Sequence, residues 1–289
     1  MKATQQLHDA GQSLWIDDIT RDMLDSGRLA KMIAEMSVTG LTSNPTIFEK
    51  AIGKGSYYDA AVEPLARRGL GDEALFYELA IEAATFAGVP VNVTLLFSTA
   101  DYLAAAEAYM RGLEKRVAAG LDPDVRSVAS VFISRWDRAI VEDVPDALKN
   151  KLGIAVGQHA YRAYRELIAS DRWQRLANAG ARPQRLLFAS TSSKDKRAHD
   201  TLYVEALAAP NTVNTMPEET LRAFADHGKL SGVLTPDGGD CDAVLAAHAK
   251  AGVDVEALAK KLQADGAKAF VASWEDLLKS IGAKSKALA

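Results

Sequence analysis

Asp17 stands inside the apolar run Leu14-Trp-Ile-Asp17, where a buried carboxylate without partners would be costly, so it must have partners or a role. A helix-capping or ion-pair aspartate is the plainer alternative. Other polar side chains fall at comparable places. Thr42, Ser43 and Asn44 close a second extended stretch, and Asn92 and Thr94 alternate along a third. Ser134 closes a fourth, and Ser190 to Ser193 with Lys194 follow a fifth. Together they offer a carboxylate, amides, hydroxyls and an ammonium group, although each group alone also fits ordinary turn and capping chemistry. Lys194-Asp-Lys196-Arg197 is a compact basic cluster suited to a phosphate, and equally to a solvated loop. The five histidines, His8, His159, His199, His227 and His248, are scattered with no His-x-x-x-His pair. Each reads as a surface or helix residue rather than a ligand, and metal catalysis is not expected.

These residues matter only if the chain aligns the ends of its strands. Ser13 to Ile19 predicts a strand, Arg21 to Met36 a helix, and Thr39 to Asn44 a second strand, after which Pro45 can open the next helix. Asp72 to Phe86 has helical spacing and ends at Gly88-Val-Pro90. Val91 to Phe97 predicts a third strand, Asp101 to Ala119 a helix, and Ser127 to Ser134 a buried strand. A long helix is expected over Gly157 to Ala179, short strands over Arg185 to Ser190 and Asn211 to Thr215, and a closing helix marked by Phe270, Trp274, Leu277 and Ile281. Alternation of this kind predicts parallel strands with crossover helices, and at this length a (β/α) barrel in a single domain, residues 1–289. In such a barrel the chemistry sits at the carboxyl ends of the strands, where the polar groups above lie. A doubly wound nucleotide-binding fold is the alternative, but no Gly-x-Gly-x-x-Gly turn or Walker loop is present.

Composition narrows the partners. The 289 residues are 48% hydrophobic and 25% charged, ordinary for a globular domain with a large core. The net charge of −4 without a basic block argues against nucleic acid. The longest apolar runs, such as Val89 to Phe97, fall far short of the ~20 residues of a membrane span. Met1 to Ala10 is polar with no signal-peptide core, so a cytoplasmic location is expected. One cysteine, Cys241 in a Gly-Gly-Asp-Cys-Asp loop, excludes an internal disulfide and reads as structural.

Several stretches together resemble a known family. They are Leu14-Trp-Ile-Asp-Asp-Ile-Thr20, Gly40-Leu-Thr-Ser-Asn-Pro-Thr-Ile-Phe48, Val91-Asn-Val-Thr-Leu-Leu-Phe-Ser98, Phe132-Ile-Ser-Arg135, Ala189-Ser-Thr191, and Asp200-Thr-Leu-Tyr-Val through Asn211-Thr-Val-Asn-Thr-Met-Pro217. In this order, from about Gln12 to the end of the chain, they resemble transaldolases of the longer bacterial type. The resemblance implies a TIM-type (β/α) barrel and a step of the pentose phosphate pathway. There a dihydroxyacetone unit passes from a ketose phosphate, such as sedoheptulose 7-phosphate or fructose 6-phosphate, to an aldose phosphate through a Schiff base, with no metal or organic cofactor. Carried over by motif, Asp17 is similar to the family's first-strand acid/base, and Asn44 and Thr42, flanking Ser43, to the groups that hold the dihydroxyacetone. Asn92 and Thr94 resemble the polar pair near the reacting centre, and Ser134 a strand-end hydroxyl. Ser190 looks like part of the phosphate-binding turn, where the shorter transaldolases keep an arginine and this chain offers Ser192 or Lys194 instead. A homo-oligomer is compatible with the resemblance.

One interval departs from the family pattern. The family carries a strand glutamate and the Schiff-base lysine, in a Lys-Ile-Pro-Gly-Thr-like motif, between the second-strand block and the Asn-Val-Thr-Leu-Leu-Phe block. Here the helix through Glu82 runs directly into Ala83-Ala-Thr-Phe-Ala-Gly-Val-Pro90. The expectation is a barrel short of its third and fourth βα units, roughly 60 residues, with the deletion point near 82–83. No Schiff-base lysine is identified: Lys31, Lys50 and Lys115 sit in polar helical contexts, and only Lys194 follows a barrel strand. Transaldolase turnover is then expected to be negligible, the alternative function being a catalytically inactive relative that binds sugar phosphates or a partner chain.

Overall fold

The computed structural model describes residues 2–17, 23, 26–42, 81–82, 84–193, 195 and 197–288. Within them the chain runs α1 (Ala3–Asp9), β1 (Ser13–Asp17), α2 (Arg28–Met36), β2 (Val38–Thr42), β3 (Val91–Leu96), α3 (Thr99–Ala118), β4 (Ser127–Phe132) and α4 (Ser134–Ile140). It continues through α5 (Leu152–Ala169), α6 (Asp171–Asn178), β5 (Gln184–Ala189), α7 (Leu202–Ala206), β6 (Val213–Met216), α8 (Glu218–His227), α9 (Cys241–Lys250) and α10 (Val255–Leu288). The strands form one sheet in the order β2-β1-β6-β5-β4-β3, and every pairing is parallel. Parallel neighbours need crossovers, and the helices between the strands provide them. Among the described residues β2 and β3 each pair along one edge only.

Strand burial follows position. In β4 every residue is buried, as expected for a parallel strand covered on both faces. β1 alternates: Leu14 and Ile16 are fully buried on one face, while Trp15 and Asp17 occupy the other. Among the described residues the buried apolar side chains fall into two cores. The larger packs β3, β4 and β5 against α3 and α5 through Phe97, Tyr102, Tyr109, Trp136, Tyr161 and Phe188. The smaller packs β1 and β2 against α1, α2 and α8 through Leu7, Leu14, Ile16, Met32, Leu221 and Phe224.

Local chemistry explains the helix boundaries. Ser98 and Asp101 form a reciprocal cap on α3, Asp101 N–H donating to Ser98 Oγ at 3.1 Å and Ser98 N–H to Asp101 Oδ2 at 2.9 Å. The long helix expected over Gly157 to Ala179 is two helices. Ser170 is extended and its hydroxyl accepts from Trp173 N–H at 3.2 Å, which ends α5 and starts α6. Ser134, expected to close a strand, instead opens α4. Cys241, expected in a loop, is the first residue of α9 and fully buried. Burial pushes its thiol pKa up, in keeping with a structural role. The expected start of the helix at Arg21 and most of the helix over Asp72 to Phe86 fall outside the described residues. Among the described residues no helix is long and apolar enough to cross a membrane.

A buried carboxylate fixes the start of α5. Asp137, on α4, accepts from Leu152 N–H at 2.9 Å, Gly153 N–H at 3.1 Å and the Tyr203 hydroxyl at 2.8 Å. The carboxylate oxygens thereby satisfy helix-terminal amides that would otherwise be orphaned. Position 153 has to be glycine: a Cβ there would stand 2.5 Å from Ile133 O and 2.8 Å from Asp137 Oδ2.

Candidate active site

A cavity of about 120 Å³ lies at the carboxyl ends of the strands. Asp17 ends β1 and Thr42 ends β2; Asn92 and Thr94 come from β3, and Ser190 follows β5. All five line the cavity. The sheet makes this possible because i, i+2 residues share a face, so Asn92 and Thr94 point the same way as Trp15 and Asp17 across the curved interior. β3 then breaks register between Val93 and Leu96, with Leu95 at φ 61°, a bulge that bends the strand just after Thr94.

Hydrogen bonds lock the polar groups to one another. The Thr42 hydroxyl donates to Asp17 Oδ1 at 3.1 Å and lies 2.6 Å from Thr215 Oγ1, which can donate in turn. Thr191 Oγ1 donates to Asn214 Oδ1 and lies 3.1 Å from Thr215 O, tying the end of β6 to the turn after β5. Ser130 Oγ donates to Asn92 Oδ1 at 2.7 Å, which leaves the amide NH₂ of Asn92 as a donor for a ligand. Ser190 holds a left-handed φ of 59°, an uncommon conformation for a non-glycine residue. Its carbonyl accepts from Ser134 N–H at 3.0 Å, and the two hydroxyl oxygens are 3.2 Å apart.

Ser134 itself faces a neighbouring cavity of about 470 Å³ shared with Asp137, Asn150, Asp195 and Arg197. In it the Arg197 guanidinium and backbone N–H, with the Asn150 amide, hold the Asp195 carboxyl well below the usual range. Ser192 is buried in the turn beyond Ser190 and lines neither cavity. Ser43, Asn44 and Lys194 lie outside the described residues.

Six lining residues were not singled out as site residues from the sequence: Ser130, Phe132, Arg135, Ala189, Thr215 and Phe270. Ser130 carried a signal, a hydroxyl inside the apolar run Val-Ala-Ser-Val-Phe. Arg135 and Thr215 stand in stretches that carry the resemblance, but their direction depends on how α4 leaves β4 and how β6 seats between β1 and β5. Phe270 has ordinary core spacing on the closing helix and reaches the cavity only because α10 packs across the strand ends. Arg135 lies with its guanidinium carbon 4.5 Å from the centre of the Phe132 ring, a cation–π contact. Burial lowers its pKa, as does the like charge of Arg138, while Asp17 acts in the opposite sense. It nonetheless stays charged. The cavity therefore offers a carboxylate, an amide, several hydroxyls and one guanidinium, a set suited to a polyhydroxylated ligand carrying an anionic group. Among the described residues no lysine lines it.

A second, larger cavity of about 630 Å³ extends from Thr42 and Asn92 toward the amino ends of β3, β4 and β5, where Trp15, Arg126 and Arg185 line it.

Comparison with known proteins accounts for the arrangement. The family model for transaldolase and fructose-6-phosphate aldolase matches in two stretches, residues 14–87 and 79–281. A transaldolase of Parafrankia sp. strain EAN1pec is 37% identical over 358 aligned positions that take in 97% of this chain and 97% of that one. A transaldolase of Thermobifida fusca is 38% identical over 354 positions, 95% of this chain and 96% of its own. One of Thiobacillus denitrificans is 36% identical over 359 positions, 98% and 100% respectively. Each alignment is longer than the 289 residues of this chain. The parallel α/β sheet is that of a TIM-type barrel, and the chain belongs to the transaldolase/fructose-6-phosphate aldolase family.

Proposed function

We propose that this chain keeps the sugar-phosphate-binding groups of a transaldolase while lacking its Schiff-base lysine, so that it binds ketose phosphates and turns them over negligibly. The observation that carries this reading is the lining of the strand-end cavity. It combines Asp17, Thr42, Asn92, Thr94, Ser190 and Arg135, and no lysine among the described residues. Carbon–carbon cleavage through an iminium needs an amine on the substrate carbonyl, and no other side chain supplies one. Three observations support an internal loss of two βα units near 82–83 in a single 289-residue domain. The relatives align over more positions than this chain has residues, the family match divides around residues 79–87, and β2 and β3 lack outer partners among the described residues.

In this reading Asp17 is the acid/base group, Thr42 and Asn44 hold the dihydroxyacetone part with Ser43 beside them, and Asn92 and Thr94 bind near its carbonyl. Ser134, Ser190, Ser192 and Lys194 serve the phosphate, with Arg135 as its cationic partner. The protein acts in the cytoplasm, where pentose phosphates are interconverted. A second copy of the chain covers the open sheet edges, and light scattering on the purified protein tests that part: a folded monomer sinks it.

The main test is incubation with fructose 6-phosphate followed by borohydride, read by intact mass and peptide mapping. The expected result is no trapped adduct, with sugar-phosphate binding still seen by calorimetry. An adduct on any lysine overturns the reading, and loss of that adduct in Lys194→Ala would name Lys194 as the nucleophile. Insertion of the two missing βα units from a relative is expected to restore turnover. If it does not, absence of the nucleophile is not the explanation.

A further inference from the structure

His199 and His227 read in the sequence as scattered surface or helix residues, yet with Asp200 they meet on the outside of the molecule, at the loop before α7 and the last turn of α8. We propose that they form a binding site for a divalent transition-metal ion, for which Zn²⁺ is the probe. One potential ligand atom from each residue lies within 4.8 Å of the other two. Asp200 Oδ1 is the hub, 2.9 Å from His227 Nε2 and 3.7 Å from His199 Nδ1. Tetrahedral zinc with nitrogen and oxygen ligands at ~2.1 Å sets its donors roughly 3.4 Å apart. The two distances bracket that value, so side-chain rotation alone completes the set. Two imidazoles and one carboxylate suit zinc, cobalt, nickel or copper rather than calcium or magnesium.

The surroundings of the histidines strengthen the inference. His227 Nδ1 lies 3.2 Å from Asp226 Oδ2, the outer carboxylate that metal-bound imidazoles ordinarily keep behind them. An ion bound through His199 Nδ1 replaces the contact this nitrogen makes with Thr201 Oγ1 at 2.6 Å, whose hydroxyl donates to Glu205 Oε1 at 2.6 Å, while Glu205 also receives the Lys229 N–H; without an ion the Thr201 contact fixes the ring. The ring is thereby held edge-on to His227, with centroids 5.5 Å apart. All three side chains are about half exposed, so an ion can enter from solvent and water can complete its coordination. None of the three lines the strand-end cavity. A bound ion would join the loop that continues from the Ser190–Ser193 turn to α8, a cross-link between two segments of the native fold.

The test is a titration of the full chain, without a histidine tag, using Co²⁺ followed by visible absorption and Zn²⁺ followed by calorimetry. One equivalent is expected to bind, with weak nitrogen/oxygen-type cobalt bands and a rise in Tm. His199→Ala and His227→Ala should each weaken binding at least tenfold, and Asp226→Asn, which alters only the outer partner, by about tenfold. The exposed variants are expected to keep the parent circular dichroism spectrum. Three results would overturn the site: no binding at millimolar Zn²⁺, binding that survives the His199→Ala/His227→Ala double variant, or thiolate-to-cobalt charge-transfer bands, which would assign the ion to Cys241.

Discussion

The two ends of the sheet are built differently. Around β3, β4 and β5 the strands are covered by long capped helices, and the buried side chains include a tryptophan, several tyrosines and Phe188. Around β1 and β2 the core formed by the described residues is smaller, and aliphatic apart from Phe224. Yet Asp17 and Thr42 come from the thin side, while Asn92, Thr94, Arg135 and Ser190 come from the thick one. The site is thus assembled across a boundary, and its geometry depends on the less heavily packed half keeping its register.

The largest expected effects test that contrast directly. Phe188→Ala should cost about 4 kcal/mol in urea unfolding, near the middle of the range for buried aromatic truncation. Phe224→Ala, in the smaller core, should cost about 3 kcal/mol while disturbing fructose 6-phosphate binding more than Phe188→Ala does. Equal effects of the two variants on binding would remove the distinction. Amide exchange offers the same comparison without mutation: amides of β2 should exchange faster than those of β4, which is paired on both sides.

Asp137→Ala should cost about 3 kcal/mol, because two backbone N–H groups and the Tyr203 hydroxyl lose their acceptor in a buried place. The same residue gives a pH test. Burial holds the Asp137 carboxyl above its ordinary 3.8, outweighing the lowering by Tyr203, Gly153 and Leu152. A raised folded value means that the native state favours the protonated form. Its contribution is therefore full below the ordinary value and declines as pH rises through the folded one. The urea midpoint of the parent minus that of Asp137→Asn should accordingly fall as the pH goes from about 3 to about 6. A rise over that window would show that the three donors, not burial, dominate the site.

Ser190→Gly relaxes a left-handed backbone and removes a hydroxyl that faces Ser134. It should change stability by no more than about 1 kcal/mol while weakening sugar-phosphate binding, which calorimetry would register. The smallest expected effect is Arg172→Met. The Arg172 guanidinium bridges Glu107 and Glu114 between α6 and α3, but the three side chains are partly exposed, so a loss of about 0.5 kcal/mol is expected. A loss several times larger would mean that this ion-pair network, rather than the aromatic core, makes the thick side stable.

Much of this was legible before any coordinates. Asp17, Thr42, Asn92, Thr94 and Ser190 could be singled out because a parallel α/β order places strand ends together, and each of them ends, follows or alternates along an apolar strand. Arg135 and Thr215 could not, because an arginine after a strand and a threonine inside one look the same whether they face a cavity or a helix. Ser134 was read as the end of a strand since Phe-Ile-Ser continues the apolar run. The strand stops earlier because Ile133 and Ser134 turn to bond their N–H groups to Ala189 and Ser190 carbonyls, a tertiary contact.

By itself the sequence determined the alternation of strands and helices, the family, and the chemical types at the strand ends, since these follow from local periodicity and from short motifs. Only the tertiary structure decided which polar groups share a cavity, that Arg135 and Phe270 close it, that Asp137 anchors α5, and that His227 meets His199 and Asp200. Those outcomes depend on crossing angles and strand register, which are set by packing between segments far apart in the chain and have no signature in any one of them.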